Sequence, residues 1–249
     1  MVEGACLENK CAGNGTGGSN PPLSAIFDYL QTEWCAAACH NSLMNVRHAV
    51  IYVPGLGDSR IGGQLLAMKL WRLQGVRAEL FQMNWSDGEP YEPKQRRLLA
   101  RVDRLLKQGY RVSLVGASAG GSAVINAYAE RQDQLHCAVG ICGKLLSHGL
   151  SSVHPKYYQK NPAFLESMRR LQGSDEHLTK AHRERILSLR PLYDESVPIA
   201  ETRIPGSKER IVPVFGHVFG IAYGLLFGSF GIIRFIKRLP LVTAGDTVE

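Results

Sequence analysis

A chain of 249 residues with 45% hydrophobic composition carries enough apolar side chain for one substantial core, which excludes a disordered chain and a miniature fold dependent on disulfides. The formal charge of +7 is lopsided: residues 1–45 hold one basic and four acidic groups, residues 143–239 fifteen and eight, so the basic excess belongs to the C-terminal half. That excess suits anionic surfaces or acidic substrates, yet no zinc-finger spacing, Walker loop or RNA-binding motif accompanies it, and no nucleic-acid partner is expected.

In chain order, residues 1–22 are rich in glycine and asparagine and close on Pro21-Pro22, the composition of a flexible tail. From 23 to about 43, Ile26, Phe27, Leu30, Trp34 and Ala38 recur at helical spacing, predicting a helix ahead of the first core strand. The body then alternates: strand 49–53, helix 61–73, strand 77–82, helix 94–108, strand 111–115, helix 120–131, strand 137–142. Alternation of this kind predicts an α/β fold, a mostly parallel sheet with helices on both faces.

Between about 145 and 184 the alternation stops. A polar stretch with a helical fragment at 162–171 is inserted before the next strand, 185–189. A last strand is expected at 210–214, followed by an uncharged helix, Val218–Ile233, and a tail at 240–249. The uncharged run Val212–Ile233 is long enough to consider as a membrane span, but Pro213, His217 and the strand at its start favour a helix packed on the sheet. Peripheral membrane contact through Phe219, Phe227, Phe230 and Phe235 remains an alternative.

The chemistry-bearing motif is Gly116-Ala117-Ser118-Ala119-Gly120, set between the apolar run Val112–Val115 and a small-residue helix. It reads as a nucleophile elbow, in which a strand turns sharply into a helix and exposes the serine hydroxyl at the helix N-terminus. Ser118 is therefore the candidate nucleophile. Upstream, the strand Ala49–Val53 breaks into Pro54-Gly55-Leu56-Gly57, a loop whose backbone can aim an N–H at a developing oxyanion. Leu56 and Ala119, the residue after the serine, are the candidate donors. Downstream, Asp194 and then His217 each follow a predicted strand, in the order serine, acid, histidine. Glu195 adjoins Asp194, so either carboxylate is available to the histidine.

On these motifs and their placement, residues 47–239 resemble the α/β-hydrolase superfamily of serine hydrolases, of the carboxylesterase, lipase and thioesterase type. The resemblance implies an α/β-hydrolase domain at 23–239 with a small helical lid at about 145–184. It also implies a Ser118–His217–Asp194 triad that cleaves carboxylic esters or thioesters, with neither metal nor organic cofactor required. Where many members carry His-Gly ahead of the oxyanion loop, this chain has Pro54-Gly55. The competing expectation is a non-catalytic scaffold of the same fold that binds a membrane or protein through its apolar C-terminal helix. Met1–Lys10 lack a basic start and an apolar run, so the chain is expected to be cytoplasmic, with its six cysteines as free thiols. Cys35, Cys39 and His40 fall near one helical face, where a packing role is expected rather than a metal site.

Overall fold

The computed structural model describes residues 46–59, 61–147, 159–174 and 176–240. The expected tail at 1–22, the helix at 23–43, the Cys35, Cys39 and His40 group, and the tail from 241 lie outside the described residues. Six strands, β1 (His48–Val53), β2 (Arg77–Leu80), β3 (Arg111–Ala117), β4 (Cys137–Ile141), β5 (Ile186–Tyr193) and β6 (Lys208–Phe215), form one sheet in the order β2-β1-β3-β4-β5-β6. Every neighbouring pair is parallel. Parallel neighbours need crossovers, and α1 (Gly62–Leu73), α2 (Tyr91–Lys107) and α3 (Ala119–Glu130) supply them between the first four strands. Before β5 come α4 (Pro162–Ser174) and the single turn α5 (Lys180–Arg183); after β6 come α6 (His217–Leu226) and α7 (Ser229–Arg238).

The central strands β1, β3 and β4 read as near-continuous apolar runs because both faces of the sheet are covered there. Ala49, Ile51 and Val53 of β1, with Val112 and Leu114 of β3, pack beneath α2, α3 and α4. The alternate residues Val50, Tyr52, Val115 and Ala117 pack beneath α1, α6 and α7, together with Val139, Ile141 and Leu189. The helices that follow the adjacent strands β1 and β3 thus leave to opposite faces. That divergence opens a crevice at the carboxyl ends of those two strands, the place where ligands bind in open parallel sheets.

The elements depart from expectation where local rules compete. The second helix starts at Tyr91, ahead of Pro93, because the N–H groups of a first helical turn have no intrahelical partner and a proline there costs none. Strand β5 runs on through Pro191 to Tyr193: its ladder to β4 ends at Leu189, so the missing N–H costs no bond on that side, and the register toward β6 shifts instead. The single final helix expected at 218–233 is two helices bent by 59°. Gly220 lies against Cys142 and Pro191, and Gly224 against Ile141, so closely that a Cβ at either would collide. The bend at Gly228 then lets Ile232, Ile233 and Ile236 of α7 enter the core while α6 keeps its bare edge on the sheet. Among the described residues no single helix is long and apolar enough to cross a membrane. In the stretch expected as a lid, α4 buries Ala163, Phe164, Met168 and Leu171 in the core beneath α2 and α3.

At the opposite end of the sheet from the crevice, His48 and His136 are both buried, with ring centroids 5.4 Å apart. Nε2 of His136 meets the Ile236 carbonyl at 2.8 Å, whereas Nδ1 of His48 has no partner. Burial, then the neighbouring His136, Arg111 and Lys237, lower the His48 pKa from 6.5 to about 4. Between those values the unfolded chain takes up a proton that the folded chain refuses, so stability falls as pH drops through that window. Thermal melts from pH 6.5 to 4 are expected to show a falling Tm, with a shallower slope in His48→Asn; equal slopes would assign the loss to other groups.

Candidate active site

The backbone builds the site before any side chain does. At the end of β3 Ser118 takes φ 52° and ψ −123°, a conformation most residues avoid at a cost of about 1–3 kcal/mol. The turn is tight enough that a Cβ on Gly116 would strike the carbonyl of Gly120, and one on Gly120 would strike the carbonyls of Val53 and Pro54. Both glycines of the motif are thus sterically required. The Ser118 N–H donates to the Ile141 carbonyl at 3.2 Å, and the Ser118 carbonyl accepts from Gly121 at 2.9 Å and Lys144 at 3.0 Å. Ser118 is therefore tied to β4 and to the loop beyond it.

The loop after β1 arrives beside the serine. A Cβ on Gly55 would lie 2.8 Å from Ser118 Cβ and 3.3 Å from its Oγ, which measures how near this backbone passes. Buried Trp85 fixes the loop by donating its indole N–H to the Pro54 carbonyl at 3.1 Å. Leu56 and Ala119 both line the cavity above Ser118.

The structure brings together the three side chains singled out from sequence. His217 Nε2 lies 2.8 Å from Ser118 Oγ, and Nδ1 lies 3.0 and 2.9 Å from the two carboxylate oxygens of Asp194. A carboxylate at Nδ1 fixes the proton there, leaving Nε2 to accept from the hydroxyl. Asp194 Oδ1 also accepts the N–H groups of Ser196 and Val197, each at 2.9 Å. Burial raises the pKa of this carboxyl, but the His217 hydrogen bond and the two backbone donors outweigh it, so the net shift is downward. Asp194 stays ionised at neutral pH. Glu195 has a different place: its carboxylate accepts the backbone N–H of His217 at 3.0 and 3.2 Å, at the N-terminus of α6.

A cavity of about 380 Å³ opens beside Ser118, lined mainly by Tyr52, Leu56, Phe164, Val197, Val218 and Ile221. One wall residue was not foreseen. Lys144, almost fully buried, lines the cavity and is paired with the equally buried carboxylate of Glu201. Burial lowers the Lys144 pKa to about 8. The Leu145 and Leu146 N–H groups donate to the Glu201 carbonyl at 2.9 and 3.1 Å, so this ion pair staples the loop after β4 to the turn before β6. A signal was present in the sequence, since Lys144 is the only charge in the apolar run 137–146. Among the described residues no cluster of three His, Cys, Asp or Glu side chains is placed to hold a metal ion.

With this geometry in view, comparison with solved structures gives the fold its name. A metagenome-derived lipolytic enzyme, described with LipS and LipT, superposes with a TM-score of 0.55 at 12% identity, covering 78% of this chain and 94% of its own. Est1E of Butyrivibrio proteoclasticus, with ferulic acid bound, gives 0.55 at 15% identity over 78% and 90%. A carboxylesterase of the thaumarchaeon Nitrososphaera gargenis gives 0.55 at 14% identity over 76% and 91%. The protein has the α/β-hydrolase fold, as the motifs implied. No protein-family model matches the chain, and no curated protein matches it in sequence.

The cap on α6 can be tested without any substrate. Removing the carboxylate from the helix N-terminus, as in Glu195→Ala, is expected to cost about 1 kcal/mol of stability, measured by denaturant melts, because a first-turn N–H and the positive helix end lose their partner. An unchanged midpoint would show that solvent serves that N–H equally well.

Proposed function

We propose that the protein is a serine hydrolase that cleaves carboxylic esters or thioesters through an acyl-enzyme. The observation that carries this reading is the relay Ser118–His217–Asp194, with both hydrogen bonds formed, at the mouth of a mainly apolar cavity. In it His217 takes the Ser118 proton as Oγ attacks the carbonyl carbon, and Asp194 holds the imidazole and stabilises the imidazolium. The N–H groups of Leu56 and Ala119 receive the oxyanion. The tetrahedral intermediate collapses as His217 returns the proton to the leaving alcohol or thiol; water then repeats the sequence on the acyl-serine. Fold neighbours described as lipolytic enzymes and carboxylesterases support the same reading.

The cavity lining points to an apolar acyl group. Phe164 reaches the wall from α4, so the insertion before β5 contributes to the acyl site. A second reading is a non-catalytic scaffold that docks on a membrane or protein. It draws on Phe219 of α6, Phe227 at the bend and Phe230 of α7, which are 71%, 71% and 70% exposed.

One assay separates the two: hydrolysis of a chain-length series of p-nitrophenyl esters. Ser118→Ala is expected to lower turnover by at least about 10⁴-fold and Asp194→Asn by about 10⁴-fold, while Glu195→Gln stays within about tenfold of wild type. Equal turnover in wild type and Ser118→Ala would remove Ser118 as the nucleophile. Absence of turnover in all, with cofractionation on membranes, would favour the scaffold. In the same series Phe164→Ala is expected to move the optimum toward longer acyl chains by enlarging the wall; an unmoved optimum would place the acyl chain elsewhere.

A further inference from the structure

A second cavity, of about 310 Å³, lies between β6 and α7 and shares no residue with the one at Ser118. Its lining holds three guanidinium groups, Arg210 from β6 and Arg234 and Arg238 from α7, with Gly231, Phe235 and Leu239. Arg234 and Arg238 stand four residues apart on one helix face, and Arg210 meets them from the strand. Gly231 makes the meeting possible, because a Cβ there would fall on Nη1 of Arg210.

Charge balance singles this cluster out. Among the described residues, none of the three arginines has a carboxylate within ion-pair distance. The nearest acid in sequence, Glu209, is held by Arg190 at 2.6 Å and Arg203 at 4.0 Å. Lys208 adds a fourth cation, 5.5 Å from the Phe235 ring. The negative end of the α7 dipole accounts for Lys237 and Arg238 in the last turn, but not for Arg210 on the neighbouring strand. All three guanidinium groups are exposed, so solvent screens their mutual repulsion, and the hollow between them offers an anion several donors at once. Guanidinium forks match phosphate oxygens bidentately, and Phe235 and Leu239 offer an apolar edge for whatever carries that phosphate.

We propose that Arg210, Arg234 and Arg238 form a binding site for a phosphate group, borne by a free phosphate compound or by a phospholipid headgroup. The site is independent of the ester-hydrolase reading, since it uses no residue of the Ser118 cavity. Phe230, exposed and one helical turn before Arg234, is placed to enter a bilayer if the phosphate belongs to a lipid.

The test uses the full chain and two probes: inorganic phosphate by calorimetric titration, and phosphatidylcholine vesicles with or without phosphatidic acid by cosedimentation. Three variants are compared with wild type: the double variant Arg234→Gln, Arg238→Gln; Gly231→Ala; and a charge-matched control, Lys69→Gln, Arg169→Gln, at exposed positions outside the cavity. Gly231→Ala leaves net charge unchanged and favours the helix, so its effect reports the seat of Arg210 and not folding. Binding weakened at least about tenfold by the double variant, weakened by Gly231→Ala and retained by the control, is the expected result. If inorganic phosphate shows it, the source is a soluble compound; if only the vesicles with phosphatidic acid show it, the source is a headgroup. Binding of neither probe, or an equal loss in the control, would overturn the proposal.

Discussion

The turn at Ser118 is the constraint on which the rest of the site depends. A residue with positive φ and an extended ψ must join a buried strand to a buried helix, and no Cβ fits at Gly116 or Gly120, two residues to either side of it. Such a turn persists only where the surrounding structure over-determines it. Here β1 closes it from one side, β4 from the other, and the loop after β4 ties its carbonyl. The serine hydroxyl is thus positioned by backbone whose freedom is removed by the fold itself.

The histidine depends on a different contact. It is the first residue of α6, so its position follows from how that helix seats on the sheet. Gly220 and Gly224 let α6 lie directly on Cys142, Pro191 and Ile141, and Trp71 of α1 donates its indole N–H to the Leu225 carbonyl at 2.9 Å. Glycines at four-residue spacing serve close helix packing in any solvent. In this chain the neighbour they admit is the face of a parallel sheet at the carboxyl ends of β4 and β5.

Much of this was legible in the residues because independent signals agreed. Alternation of apolar runs with helical spacing identified the sheet, and the order of the serine, acid and histidine motifs identified what sits at its carboxyl end. Asp194 and Glu195 could not be told apart from sequence, since neighbours in a loop point in different directions that only tertiary contacts decide. The structure turns one to the imidazole and the other to the helix end. The bend at Gly228 was hidden for a related reason: the run is uncharged throughout, and composition carries no information about which turn must leave the sheet. Lys144 stands out as the one charge in its apolar run, but nothing local marks Glu201, 57 residues on, as its partner.

That ion pair couples two properties usually adjusted separately. Lys144 faces the cavity with its side chain and holds the Ser118 carbonyl with its backbone N–H, while its partner anchors the turn between the Asp194 loop and β6. A change of size or charge at this position reshapes the cavity beside Ser118 and loosens the support of the elbow together. Phe164 and Val218 line the same cavity without a backbone hydrogen bond to the elbow, so a change at either would alter the cavity and leave that support in place.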